Sequence, residues 1–288
     1  MEPSTVCLDV GALEFLEVLP EGLPLVFWDT TKETLCRHRN PLFEAHTHLT
    51  ADKLAADEMH TLHLGCFQDY VAVALWRIIE QDCFAVGANN QEVSASLSVQ
   101  RIHKDLGSWC RQQKHMYPDK PVYEIQHLDL KTLGPRAQPS LSAKAAETGT
   151  LLGFTVDLVT KFRNHLPEGG RLLSAGQALL KYLEITRKHG QHLPAAARQE
   201  LVDCAVRYLA LREPAGLPWR PKCHMFLHLV FESRVFGNPR VTGNWVDEGL
   251  NRRLAKVCAA SASAVWARRV LATFAHLPKH ALAKRKRD

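Results

Sequence analysis

The sequence lacks any run of 18 apolar residues, and its N-terminus lacks the basic start and apolar centre of a secretory signal. The first absence argues against a membrane partner, and the second predicts an intracellular protein. The eight cysteines are scattered and include no C-x-x-C pair. That spacing fits neither a disulfide framework nor a standard zinc module, so we expect reduced and largely packed thiols.

Lysine and arginine are absent from residues 1–30, which carry six acidic residues. These are Glu2, Asp9, Glu14, Glu17, Glu21 and Asp29. Because the whole chain has a net charge of +6 and this stretch contributes −6, residues 31–288 carry +12. A body this basic favours a polyanionic partner such as DNA, with the acidic leader as an internal shield. The alternative is that both sets of charges only keep the surface soluble.

A fixed-period repeat is also absent, which favours a helical bundle over a solenoid. Apolar periodicity predicts helices at residues 64–80, 91–114, 141–163, 171–189, 194–214, 221–236, 244–257 and 265–277. Strand signals are weak and fall at residues 25–28 and 122–133. We therefore predict a mainly α protein with an acidic leader and loop region at 1–50, a helical body at 51–278 and a basic tail at 279–288.

A carboxylate and two histidines stand immediately before the first predicted helix, in the stretch LAADEMHTLHLG at residues 54–65. The apolar face of that helix is formed by Phe67, Val71, Ala74 and Ile78. Asp57 and His60 thus lie at the mouth of a buried helix. This position suits an acid that is held rigidly with one side open to a metal or substrate. Alternatively, Asp57 only caps the helix and the histidines pack beside it.

Two further histidines, His224 and His228, are four residues apart and share a helical face. A zincin motif needs glutamate where Met225 stands, so we do not predict metal binding by this pair alone. Histidines in a helix contact, or histidines that contact a phosphate, explain the spacing better.

The helix at residues 244–257 carries two adjacent acids. On a helical wheel its apolar stripe is Val246, Leu250, Leu254 and Val257. Asp247 falls at the edge of the stripe and is favoured as a site residue. Glu248 lies roughly opposite and is placed to pair with Arg252.

Basic residues mark two candidate nucleic-acid contacts. Arg37 and Arg39 lie in a loop and would contact phosphates if nucleic acid binds nearby. The tail carries Lys284, Arg285, Lys286 and Arg287 in a row. We expect this tail to be disordered and to act as a nuclear-import signal or a nonspecific DNA anchor. A solvated tail with no role is the alternative.

Residues 57–65, DEMHTLHLG, resemble the segment around the second catalytic aspartate of DDE transposases of the CACTA type. Residues 219–229, WRPKCHMFLHL, are similar to the Lys-Pro-Lys-x-His-x-x-x-His-Leu pattern toward the C-terminal end of such proteins. The acidic pair at 247–248 follows where the family has its last carboxylate. The resemblance covers roughly residues 25 to 275.

The resemblance implies a ribonuclease H-like α/β core and two-metal phosphoryl transfer with Mg²⁺ on three carboxylates. Asp57 would be the second acid and a metal ligand, with His60 beside it, and Asp247 or Glu248 would be the third acid. Lys222 and His224 would contact DNA. The first acid belongs on an early strand, but the candidates Asp9 and Asp29 lack the expected three-stranded meander.

We therefore expect a truncated catalytic core, and at most its α/β remnant, in a transposon-derived DNA-associated protein that is catalytically incomplete. A complete site would instead make the chain a metal-dependent DNA strand transferase. The alternative from another class is a helical nucleic-acid- or protein-binding module without chemistry, in which His60 and His224 are core residues.

Overall fold

The computed structural model describes residues 55–87, 90–262 and 265–275. Within these ranges the chain forms nine α-helices and contains no strand. They are α1 Phe67–Glu80, α2 Gln91–Met116, α3 Leu130–Leu133, α4 Ala145–Phe162, α5 Gly169–Lys188, α6 Ala195–Arg212, α7 Pro221–Phe236, α8 Trp245–Ala259 and α9 Trp266–Ala275. The prediction of a mainly α protein is confirmed, and the described residues give no support to an α/β core. The predicted strand at residues 25–28 lies outside the described ranges.

The chain divides into two compact units, Met1–Thr242 and Gly243–Asp288. The first holds α1 to α7, and the second holds α8 and α9. In α8 the predicted stripe residues Leu250, Leu254 and Val257 are only half-buried. No helix in the described ranges is long and apolar enough to cross a membrane.

Helix α1 is the centre of the first unit, as predicted. Eleven of its fourteen residues are buried, so it is apolar on nearly every face. It packs against α4 and α5, while α6 packs on α5 and α7 on α6. Tyr182 of α5 and Tyr208 of α6 both meet the ring of Phe226 on α7, with centroids 5.2 and 6.1 Å away. Aromatic burial therefore links the three outer helices to one core.

A π-helical segment, Met59–Cys66, leads directly into α1. Within it, the backbone of Leu64 leaves helical geometry, with φ −97° and ψ 20°. Such a change frees backbone carbonyls from the helical ladder, and each buried carbonyl then needs another donor. The Lys222 amine donates to the Leu64 carbonyl, and the Tyr208 hydroxyl donates to the Cys66 carbonyl at 3.1 Å. Side chains of α6 and α7 thus stabilise the irregular turn.

The second strand signal, at residues 122–133, produces no strand, and the prediction of extended chain is wrong at its C-terminal end. The chain there turns into the short helix α3. The Asp129 side chain accepts a hydrogen bond from the Thr132 amide at 2.8 Å, and the Thr132 hydroxyl lies within bonding distance of the Asp129 amide, at 3.4 Å. This reciprocal capping box starts a helix more effectively than alternating side chains start a strand without a neighbour.

Candidate functional site

The two segments that carry the family resemblance pack against each other in the first unit. The π-helical segment contacts α7 directly. The bond from the Lys222 amine to the Leu64 carbonyl joins them, and the Cys66 thiol lies 3.8 Å from the Lys222 carbonyl. Gly65 permits this approach, since a Cβ atom there would stand 2.5 Å from Cδ of Lys222. Residues about 160 positions apart in sequence therefore form one surface.

Asp57 is bonded through both carboxylate oxygens. Its Oδ1 accepts from the Met59 amide at 2.9 Å, and its Oδ2 accepts from Nδ1 of His60 in a close contact. The side chains of Asp57 and His60 are 20% and 44% exposed. Asp57 thus does cap the turn, as one prediction held, while also fixing the orientation of a half-exposed imidazole. A carboxylate that orients an imidazole at a helix mouth is a common arrangement for acid–base or ligand chemistry.

His224, His228 and Glu232 form a row along α7, four residues apart. Nε2 of His224 lies 2.9 Å from Nε2 of His228, and Nδ1 of His228 lies 3.5 Å from Oε1 of Glu232. Only one of the facing nitrogens can carry a hydrogen without a clash between two donors. Burial and the neighbouring His228 lower the pKa of His224 to about 4, so it is neutral at pH 7.

The α7 row reaches the segment that holds Asp57. Oε2 of Glu232 accepts a hydrogen bond from the Ala56 amide at 3.0 Å. The Thr242 hydroxyl donates to the Ala56 carbonyl, also at 3.0 Å. The residue next to Asp57 is therefore fixed on both of its backbone polar groups, and the Asp57–His60 pair and the α7 row belong to one polar surface.

The other histidine of the first motif is part of the core. His63 is buried, its Nδ1 donates to the Ala145 carbonyl at 2.9 Å, and its ring meets Phe67 edge-on at 4.9 Å. Burial lowers its pKa to about 4. The packing role that sequence allowed for the histidines therefore holds for His63, whereas His60 stays half-exposed.

A buried ionic network lies at the other end of the π-helical segment. Asp69 is contacted by Nη2 of Arg212 at 3.3 Å and by Nε of Arg220 at 2.9 Å. Arg212 is completely buried and also donates to the Tyr208 hydroxyl. Burial raises the pKa of Asp69, although both arginines oppose the rise. This network belongs to the core, and no local sequence pattern predicts it.

The remaining predicted site residues are described only in part. Glu248 is exposed in the first turn of α8, and the side chain of Asp247 lies outside what the structure describes. Asp57 belongs to the first compact unit and the acidic pair to the second, and each unit is described by itself. Arg37, Arg39, Asp9, Asp29, Lys284, Arg285, Lys286 and Arg287 lie outside the described residues.

The predicted magnesium site depends on which donor side chains lie around Asp57. A two-metal site needs at least three carboxylates that converge on the ions. Among the described side chains, no group of three or more His, Cys, Asp or Glu residues is arranged to hold a metal. The donor set around Asp57 in the described part of the chain therefore does not fit a pair of magnesium ions.

Sequence reasoning missed Glu232. Its carboxylate connects α7 to the Ala56 amide, yet it lies in neither of the two segments that resemble the family. The available signal was spacing, because Glu232 continues the four-residue step from His224 through His228.

Comparison of this chain with protein-family models, with curated proteins and with solved structures finds no match.

Proposed function

We propose that this chain is a transposon-derived, DNA-associated protein that is catalytically incomplete relative to DDE transposases. The observation that carries the proposal is the contact between residues 57–65 and residues 219–229. These segments are far apart in sequence, each resembles a family motif, and Lys222 bonds one to the other through the Leu64 carbonyl. Parts of one functional site are expected to meet in this way.

The charge distribution supports a DNA partner. Residues 31–288 carry +12, and phosphate contacts from such a body need no sequence-specific arrangement. Arg37, Arg39 and the tail cations are the proposed phosphate contacts, together with His224 on α7. Lys222 already has a structural partner, so we propose that it acts mainly by holding the π-helical segment against α7.

Incomplete chemistry is proposed because Asp57 is not joined by two further carboxylates among the described side chains. In this proposal the Asp57–His60 pair and the α7 row are the parts of the site that the chain retains. Asp247 and Glu248 are the proposed third-acid positions, and a ribonuclease H-like core would require strands outside the described ranges.

Fluorescence anisotropy with a labelled DNA duplex tests DNA association. We expect measurable binding at about 50 mM salt that weakens steeply by about 200 mM, since each neutralised phosphate adds about 0.9 to the slope of log affinity against log salt. Changing Lys284, Arg285, Lys286 and Arg287 together to glutamine should lower both affinity and slope.

A charge-matched control is the quadruple glutamine variant at Lys104, Lys131, Lys161 and Lys188, which are exposed and spread over the surface. We expect it to lower the slope less than the tail variant does. Wild-type protein that binds no duplex at low salt would end the proposal.

We also propose that the basic tail directs the protein to the nucleus. Four adjacent cations match the composition of import signals. A reporter fused to residues 278–288 should accumulate in the nucleus, and the same fusion with the four cations changed to glutamine should not. Equal distribution of both fusions between nucleus and cytoplasm would contradict the import role. The role as a DNA anchor is tested separately by the binding assay.

The second candidate is a helical nucleic-acid- or protein-binding module without catalytic ancestry. It is favoured by the exclusively helical character of the described residues and by the burial of His63. A nuclease or strand-transfer activity that depends on Asp57 would decide against it.

A further inference from the structure

A cavity of about 520 Å³ lies between the second half of α1, the loop at residues 136–139 and the loop at residues 216–220. Its wall includes two tryptophans and three arginines, which are Trp76, Arg77, Arg136, Trp219 and Arg220. Cavities of this size hold small organic ligands. The combination of indole rings with guanidinium groups indicates a ligand that has both a flat ring and negative charge.

The arginines of the wall are only partly neutralised. Nε of Arg136 lies 2.5 Å from Oε1 of Glu80, so this pair is neutral. The single negative charge of Asp69 neutralises only one of the two arginines that contact it. Arg77 has no ion-pair partner among the described residues. Two positive charges are therefore in surplus around the cavity.

The aromatic part of the wall is fixed in place and open to a ligand. Nε1 of Trp76 donates to the Gly134 carbonyl at 3.2 Å, which anchors the 134–139 loop to α1. The guanidinium of Arg212 lies 5.9 Å from the ring of Trp219 and supports it from within the core. Trp219 is nevertheless 43% exposed. An indole held this way offers a rigid stacking platform at low entropic cost.

We propose that this cavity binds one unpaired nucleotide, with the base stacked on Trp219 and the phosphate between Arg77 and Arg220. This inference rests on the proposed DNA association and assigns part of it to a defined site. Stacking on an indole accepts any base. Arg77, which has no ion-pair partner among the described residues, and Arg220, which shares Asp69 with Arg212, together suit a phosphate. The cavity is thus suited to a strand end or a base displaced from a duplex.

Binding to a labelled thymidine oligomer of about eight nucleotides tests the proposal on the full-length chain. Arg77→Gln should weaken this binding about fivefold or more, because the phosphate loses a charged partner. Arg207→Gln is the matched control, since Arg207 is an exposed helix arginine of α6 away from the cavity wall. It should change the affinity less than about twofold.

A second pair of variants separates base stacking from structure. Trp219→Leu should weaken binding about fivefold or more, while Trp219→Phe should keep most of it. An abasic oligomer of equal length should bind wild type and Trp219→Leu alike. Equal weakening of both oligomers by Trp219→Leu would show that Trp219 acts only by maintaining the structure of the cavity wall, and would overturn the proposal. Circular dichroism of each variant confirms that the helices remain.

The outcomes distinguish this site from the wider function. If wild type binds DNA but Arg77→Gln and Trp219→Leu bind the oligomer as wild type does, the cavity proposal is overturned while DNA association stands. If wild type binds neither duplex nor oligomer, both fall. Thymidine monophosphate that displaces the oligomer at similar concentration supports a free nucleotide as ligand, and displacement only by oligomers supports a strand. Tighter binding of a phosphotyrosine peptide than of either would overturn the nucleotide assignment.

Discussion

Two aspartates flank the π-helical segment, Asp57 before it and Asp69 in the first turn of α1, and they have different surroundings. Asp69 is 7% exposed and contacts Arg212 and Arg220, which carry permanent charge. Asp57 is 20% exposed and contacts His60, whose side chain is 44% exposed. The completely buried Arg212 needs a carboxylate partner, and Asp69 supplies it. A partly exposed aspartate–histidine pair contributes little to stability, so Asp57 and His60 stay candidate site residues.

The same contrast runs along α7. Cys223, Phe226 and Val230 face the core, whereas His224, His228 and Glu232 form the row that reaches Ala56. One helix therefore supplies packing on one face and polar groups on another. The candidate site residues of α7 are thus set apart from its core residues by their burial.

The largest expected effect follows from removing the buried aspartate. Asp69→Ala leaves Arg212 and Arg220 without their carboxylate, so the free energy of unfolding should fall by about 3–5 kcal/mol. Urea unfolding followed by circular dichroism measures this. Asp203→Ala, at an exposed aspartate of α6, should cost less than about 1 kcal/mol. If both variants lose the same unfolding free energy, the buried aspartate does not stabilise the fold more than an exposed one.

A pH effect of similar size is expected from His63. Its folded pKa is about 4 and its ordinary value is 6.5, so the unfolded chain binds the proton first as pH falls. Stability from the neutral ring is complete above pH 6.5 and declines toward pH 4, by about 3 kcal/mol at most. His63→Gln should show a shallower decline than wild type in this window. Parallel pH profiles would mean that His63 does not titrate as a buried group.

The Tyr208 hydroxyl should contribute less. It accepts from Arg212 and donates to the Cys66 carbonyl, so Tyr208→Phe leaves two buried groups short of a partner. We expect a loss of about 1–3 kcal/mol in unfolding free energy. Tyr117→Phe, at an exposed tyrosine, is the control and should be nearly neutral. A neutral Tyr208→Phe would show that the π-helical turn does not depend on α6.

The smallest stability effect is expected at Asp57. Asp57→Asn keeps an acceptor for the Met59 amide, since asparagine caps helices about as well as aspartate. The unfolding free energy should change by less than about 1 kcal/mol. DNA affinity should stay equal or rise slightly, because one negative charge is lost. A loss of unfolding free energy as large as that of Asp69→Ala would show that Asp57 stabilises the fold as Asp69 does.

Sequence periodicity predicted most of the helices because their apolar stripes are local patterns. Phe67, Val71, Ala74 and Ile78 were expected on one face of α1, and all four are buried. The π-helical turn was not predictable in this way, since it depends on Lys222 and Tyr208, which lie more than 140 residues away. The helix α3 was missed because the capping box of Asp129 and Thr132 was read as part of an extended segment.

The candidate site was predictable only in its parts. The sequence identified Asp57, His60 and His224 through their spacing and the resemblance. It did not show that Glu232 joins α7 to Ala56, or that Asp69 lies between two arginines, because these pairs are distant in sequence. The apolar stripe predicted for α8 favoured Asp247 over Glu248 as the site residue, and that preference stays a prediction.

We propose that the chain keeps DNA association and part of a transposase site without its chemistry. The most direct measurement incubates the full-length chain with a DNA duplex and Mg²⁺ or Mn²⁺, and follows nicking and strand joining on a denaturing gel. We predict binding without nicked or joined products for wild type and for Asp57→Asn alike. Products that form with wild type and disappear with Asp57→Asn would contradict the account and show that the missing carboxylates lie outside the described residues.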